Sequence, residues 1–272
     1  MRRFYLPPDQ CQAPMLALEG REAHHALHVL RVAPGERVTV LDGAGQELVC
    51  EVANCQRQQV HLRVVEKKEH VAWPWRITLL QAIPKAGIIE DIIQKAVELG
   101  VHRIVPLLSE RVVLRLADDA ATAKTAKWQS LAVEAIKQCG NPWLPQVERP
   151  LTPKAFVERN ESFDLAMIGS LMDEPRRIRD HVENFHAMRQ RLPKSICVWI
   201  GPEGDFTPSE VELAKAAGAL PISLGRLVLR CETAAIYCLA VLSHELSCQT
   251  TPPAAGRAQF SQTPPAHPRP IV

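Results

Sequence analysis

A continuous apolar run, Ile196-Cys197-Val198-Trp199-Ile200, breaks without a spacer into Gly201-Pro202-Glu203-Gly204-Asp205-Phe206. This junction constrains the fold more than any other stretch of the chain. A short apolar run bounded by glycine reads as a strand buried on both faces. A helix opens directly afterwards at Thr207-Pro208-Ser209-Glu210. Thr207 suits the N-cap, Pro208 the first turn, and Glu210 stands at capping-box spacing. A buried strand that feeds at once into a helix belongs to a sheet whose crossovers cover both faces.

The same alternation runs through most of the chain. Arg76 to Ile83 reads as a strand, Gly87 to Leu99 as a helix stopped by Gly100, and Arg103 to Leu107 as a strand. A long helix covers Ala121 to Gln138. Strands follow at Phe163 to Ile168 and Ile196 to Ile200, a helix at Pro208 to Ala217, a strand at Leu220 to Leu224, and a last helix at Glu232 to Leu246. The expectation is an α/β domain with a parallel sheet over residues 73–248. Residues 1–72 read differently. A helix over Glu22 to Leu30 precedes short strands at Arg37 to Leu41, Glu47 to Val52 and Gln59 to Val65, with the turn Asp42-Gly43-Ala44-Gly45 between the first two. That spacing predicts a small β-barrel, and Trp73-Pro74-Trp75 marks the linker after it. Residues 249–272 carry many prolines and few large apolar side chains, so they are expected to be a disordered tail.

Bulk properties exclude several function classes. Hydrophobic residues make up 46% of the chain, which rules out wholesale disorder. The net charge is only +2, so any nucleic-acid site must be a local patch and not a global field. No apolar stretch is long enough to span a membrane, and the basic start Met1-Arg2-Arg3 leads into no signal-peptide core. A cytoplasmic protein is expected. The eight cysteines form no C-x-x-C pair, which favours reduced thiols over disulfides or zinc. His24, His25 and His28 share helical spacing, but no Cys or carboxylate completes a ligand set, so no metal is expected.

Three loops follow strands at the carboxyl end of the predicted sheet: Gly169-Ser170-Leu171-Met172, the segment from Gly201, and Gly225-Arg226-Leu227-Val228-Leu229-Arg230. Ligands of open α/β sheets bind in the crevice at that end. Glycine there lets backbone approach a flat ligand with no Cβ in the way. No G-x-G-x-x-G or P-loop string occurs, so neither a dinucleotide loop nor a Walker motif is present.

These strings resemble a known family. Ile200-Gly201-Pro202-Glu203-Gly204 and Leu224-Gly225 with Val228-Leu229-Arg230 and Glu232-Thr233-Ala234 resemble the S-adenosylmethionine (SAM) motifs of SPOUT methyltransferases. The nearest resemblance is to the 16S rRNA (uracil-N3)-methyltransferase family, RsmE type. Gln94-Lys95-Ala96-Val97-Glu98-Leu99-Gly100-Val101, Pro106-Leu107-Leu108-Ser109-Glu110-Arg111 and His24-His25-Ala26-Leu27-His28-Val29-Leu30-Arg31 extend it over nearly the whole chain.

The resemblance implies a PUA-like β-barrel over residues 1–72, and a SPOUT domain with a C-terminal trefoil knot over residues 73–248. It also implies a homodimer and methylation of uridine N3 in 16S rRNA or the small ribosomal subunit. SAM would be surrounded by Leu171, Ile200, Gly201, Pro202, Glu203, Gly204, Leu224, Gly225, Leu229 and Thr233. The chain departs from the family pattern in carrying Asp205 where a second Gly is frequent, Cys231 where Thr is frequent, and Asn141-Pro142 in a loop that elsewhere carries Arg.

Uridine N3 must lose a proton as it is methylated, so a base or a charge-stabilising cation is required. Arg230 is the candidate for stabilising charge on the uracil carbonyls, and Glu232 the candidate proton acceptor. Candidate RNA contacts are Arg2, Arg3, Arg31, Lys85 and Arg111. Residues 1–72 hold nine Lys/Arg and nine Asp/Glu, so a basic patch there has to arise by clustering. The competing readings are a noncatalytic RNA-binding or ribosome-assembly protein with the same fold, and a SPOUT methyltransferase acting on another RNA.

Overall fold

The structure is a computed structural model that describes residues 2–85, 87–112, 118–169 and 175–250. The N-terminal part comprises β1 (Arg3–Tyr5), β2 (Met15–Leu18), α1 (Gly20–His24), β3 (Arg37–Leu41), β4 (Gln46–Cys55) and β5 (Val60–Glu69). A π-helical turn over His25–Val29 continues α1, matching the single helix expected there. The strands form one sheet in the order β1-β3-β4-β5-β2. The expected barrel is therefore an open sheet whose edges are β1 and β2. Two register shifts between β4 and β5 bend these long strands, as bulges do. Their concave side buries Phe4, Leu16, Leu18, Val38, Val40, Leu48, Val52, Val60 and Leu62.

The second part follows as β6 (Arg76–Ala82), α2 (Ile88–Glu98), β7 (Arg103–Leu107), α3 (Asp118–Cys139), β8 (Gln146–Val147) and α4 (Pro153–Val157). It continues with β9 (Leu165–Gly169), β10 (Arg176–Arg177), α5 (Ile178–Arg189), β11 (Ser195–Ile200), α6 (Pro208–Ala216), β12 (Ala219–Ser223) and α7 (Cys231–Thr250). The sheet order is β10-β12-β9-β11-β6-β7-β8, and every pairing is parallel. Buried residues of α2, α3, α5 and α7 share one core with one face of this sheet. Phe156 of α4 and Val211 and Ala214 of α6 pack on the other. Burial on both faces is why β11 reads as an unbroken apolar run.

Local sequence explains most elements. Buried residues Ile89, Ile92, Ile93, Ala96 and Val97 line one stripe of α2 at helical spacing. The capping box at α6 forms as the spacing predicts: the Thr207 N–H donates to Glu210 Oε2 (2.9 Å) and the Glu210 N–H to Thr207 Oγ1 (3.4 Å). Helix α5 has no counterpart in the sequence reading, because it buries only Ile178, His181 and Val182. The strand expected from Phe163 starts at Leu165, and Phe163 stacks on Phe156 instead, at 6.4 Å.

The two sheets are tied together through α3. Arg3 Nη1 donates to the carbonyls of Lys137 (3.2 Å) and Gln138 (3.0 Å), both in the last turn of that helix. Such carbonyls have no partner within the helix, and a cation there complements its dipole. The Lys137 side chain is only 4% exposed and donates to Glu22 Oε1 (2.7 Å) and Glu134 Oε1 (3.0 Å). Gly45 lies against the Trp143 ring with no room for a Cβ.

Candidate active site

Strands β9, β11 and β12 end side by side, with Ile200 and Ile222 both in register with Gly169. The loops leaving β11 and β12 enclose a cavity of about 490 Å³ above those ends. Gly201, Pro202, Glu203 and Asp205 line it from the first loop, and Leu224, Gly225, Leu227, Val228, Leu229 and Arg230 from the second. Cys231 and Ala234 close it from the first turn of α7.

The first loop is held from several sides. Glu203 Oε1 accepts the Lys85 N–H (2.9 Å), and the Gly204 carbonyl accepts the Arg111 guanidinium. Glu210 Oε1 accepts the Glu110 N–H (2.9 Å) at the start of α6. Phe206, 1% exposed, packs edge-on against Trp199 with ring centroids 6.3 Å apart. Asp205 turns the chain at φ 61°, in the left-handed region, and its Oδ1 accepts the Phe206 N–H at 2.8 Å. A Cβ on Gly201 would come within 2.9 Å of Asp205 Oδ1 and 3.1 Å of Phe206 N, so this position has no room for a side chain. Gly225 has φ 108°, where glycine is required for conformation and not for space.

Of the ten residues expected around SAM, Ile200, Gly201, Pro202, Glu203, Leu224, Gly225 and Leu229 line this cavity. Gly204 and Thr233 are exposed and do not line it, and Leu171 lies outside the described residues. Arg230 lines the cavity, whereas Glu232 does not. Glu232 Oε2 instead accepts the Cys231 thiol at 3.4 Å, and burial pushes that thiol up to about 12. The reason is helical geometry. Cys231 and Ala234 are three apart and share a face of α7, which turns Glu232 and Thr233 aside. Asp205, Leu227 and Val228, in the expected loops but not singled out as cofactor contacts, also line the cavity, as do Ser223 and Cys231 outside those loops.

The expected RNA cations scatter. Arg2 is ion-paired with Glu36, and Arg3 is engaged with α3. Arg31 is exposed, at φ 50°. Lys85 and Arg111 line a second cavity of about 630 Å³ that shares Glu203 with the first. All eight cysteines are unpaired. Among the described residues no cluster of His, Cys, Asp or Glu is suited to a metal, and no helix is long and apolar enough to cross a membrane.

Comparison with known proteins defines the class. An RNA methyltransferase domain matches residues 71–243, and an RNA methyltransferase PUA domain matches residues 18–65. Ribosomal RNA small subunit methyltransferase E of Bacillus subtilis is 30% identical over 251 residues, covering 90% of this chain and 97% of that protein. The protein of the same name from Neisseria gonorrhoeae, solved with SAM bound, superposes with a TM-score of 0.78 at 29% identity, covering 89% of this chain and 96% of that one. A methyltransferase from Legionella pneumophila, also solved with SAM, gives a TM-score of 0.81 at 32% identity, covering 89% and 97%. The chain belongs to the ribosomal RNA small subunit methyltransferase E family of RNA methyltransferases.

Proposed function

We propose that this chain transfers the methyl group of SAM to N3 of a uridine in small-subunit ribosomal RNA. The observation that carries the reading is the cavity closed by the loops after β11 and β12, in a chain whose SAM-bound relatives align over 89% of its length. The residues present fit that cofactor. Ile200, Ile222, Leu224, Leu229 and Ala234 offer an apolar lining, and the bare backbone at Gly225 leaves a peptide group within reach of a flat ring. Bound there, SAM supplies an activated methyl group. The protein's own task is alignment and charge.

Arg230 stabilises the negative charge that builds on the uracil carbonyls as N3 loses its proton. Glu203 lines the cofactor cavity and the one beside it, so it is better placed than Glu232 to take that proton. Glu232 then serves to hold Cys231 at the start of α7. The family resemblance adds a trefoil knot in the second domain. It adds a homodimer, supported by Leu227 (79% exposed), Val228 (75%) and Tyr237 (42%) at and near the cavity mouth. Domain limits at residues 1–72 and 73–248 and a cytoplasmic site of action belong to the same reading.

The test is calorimetric titration with SAM, followed by mass spectrometry of small-subunit rRNA treated with protein and SAM. Binding and a 3-methyluridine product are expected. No binding, or a methyl group on another atom, overturns the proposal. Arg230→Ala should lower turnover by about 10²–10³ while SAM affinity stays within several-fold.

A further inference from the structure

The second cavity lies between the loop after β6, the segment after β7, and the helices α2 and α3. Its floor is apolar: Ile83, Ile89 and the indole of Trp128, which is 2% exposed. Its charged lining is Lys85, Arg111, Lys124, Glu90 and Glu203. Three of these are already engaged. Glu90 takes the ammonium of Lys127, Arg111 holds the Gly204 carbonyl, and Glu203 holds the Lys85 N–H. Lys85 and Lys124 remain, and among the described residues neither makes an ion pair. The ammonium of Lys124 sits 5.9 Å from the Trp128 ring centroid, at the edge of the apolar floor.

An apolar floor beside two cations that make no ion pair matches a nucleobase carrying a phosphate. The shared wall at Glu203 places such a nucleotide next to the methyl donor's cavity. We propose that this cavity seats one nucleotide of the RNA substrate, its base on Ile83, Ile89 and Trp128 and its phosphate on Lys85 and Lys124. The proposal rests on the methyltransferase reading for the adjoining cavity, but its geometry is independent of that reading. Of the five cations expected from the sequence to meet RNA, it retains Lys85 as a phosphate ligand and adds Lys124, which the sequence did not single out.

The experiment compares the parent with Lys85→Ala, Lys124→Ala and the double variant, using Lys154→Ala, a 78% exposed lysine on α4, as control. Each is titrated with a fragment of small-subunit rRNA over a range of salt, and separately with SAM. The expected result is weaker RNA binding, with a log–log salt slope shallower by about 0.7 for each phosphate that is no longer neutralised. SAM affinity should stay within about twofold of the parent, as a cavity separate from the donor's requires. A slope for the double variant equal to that of Lys154→Ala overturns the proposal. So does loss of SAM binding in the lysine variants, which would assign the cavity to the cofactor. A parent that binds RNA with the expected lysine dependence but takes no SAM supports the nucleotide seat and removes the methyltransferase reading.

Discussion

Replacing Gly201 by Ala adds one methyl group at the tightest point of the loop after β11, which lines the proposed cofactor cavity. The new Cβ would stand 2.9 Å from Asp205 Oδ1, 3.1 Å from Phe206 N and 3.2 Å from Asp205 Cα. The carboxylate can rotate, but the two backbone atoms cannot. They are fixed by the Phe206 side chain, buried against Trp199, and by the tight turn at Asp205. The loop must therefore shift as a body by a few tenths of an ångström. Overpacking of this kind costs about 1–3 kcal/mol, which corresponds to a loss of roughly 2–10 °C in Tm. Because the same backbone lines the cavity, SAM affinity should fall by about tenfold or more, or ~1.4 kcal/mol. Gly204→Ala and Gly225→Ala complete the series. A Cβ at Gly204 meets only the Arg111 side chain, its Cδ at 3.5 Å and Cβ at 4.0 Å, so that variant should match the parent within about 0.5 kcal/mol. A Cβ at Gly225 meets nothing within 4 Å, yet φ 108° strains any L residue by about 1–3 kcal/mol. Differential scanning fluorimetry and calorimetry with SAM read all three. Equal damage from Gly204→Ala and Gly201→Ala, or parental SAM affinity in Gly201→Ala, would refute the steric argument.

Asp205→Gly removes a left-handed non-glycine residue but also the hydrogen bond to the Phe206 N–H, so urea denaturation should show a net change within about 1 kcal/mol. In the Gly201→Ala background it should be stabilising, because glycine frees the left-handed turn at residue 205 and lets the colliding backbone shift, and a double-mutant cycle measures that coupling. Lys137→Met strands the Glu22 carboxylate where the two sheets meet, and thermal denaturation should report a loss of about 3 kcal/mol. The Asp164 carboxyl is held well below its usual range, first by the Arg191 guanidinium. A carboxylate depressed in the folded state stabilises at every pH above its unfolded value of about 3.9 and loses that contribution as pH falls below it. Arg191→Ala should therefore be destabilising at neutral pH and show a flatter stability curve below about pH 4, as read by chemical denaturation across pH.

The sheet, the chain order of its main elements and the two cavity-lining loops were legible because their signals are local. A strand buried on both faces is a run such as Ile196–Ile200, and a helix start such as Thr207-Pro208-Ser209-Glu210 carries its own cap. Helix α5 was not legible, since three buried residues in twelve leave little periodic signal, nor were the two-residue strands β8 and β10. Within the site, motif position located the loops but not the direction of each side chain. Glu232 and Thr233 do not line the cavity, whereas Cys231 and Ala234, from the same string, do. Trp128 and Lys124 could not be paired with Lys85 from sequence, because the cavity joins the end of one strand to a helix about forty residues later.

Helix α3 carries Lys124 and Trp128 near one end and, in its last turn, the Lys137 and Gln138 carbonyls that grip Arg3. The 13 residues from Lys124 to Lys137 span about 20 Å at 1.5 Å each. Under the proposed function that rod acts as a gauge. An RNA touching both the N-terminal sheet and the nucleotide seat meets two points whose separation a folded helix sets, so a strand of the right sequence but the wrong curvature would miss one of them. Selectivity of this kind is written in the length of a helix and needs no hydrogen bond to a base edge.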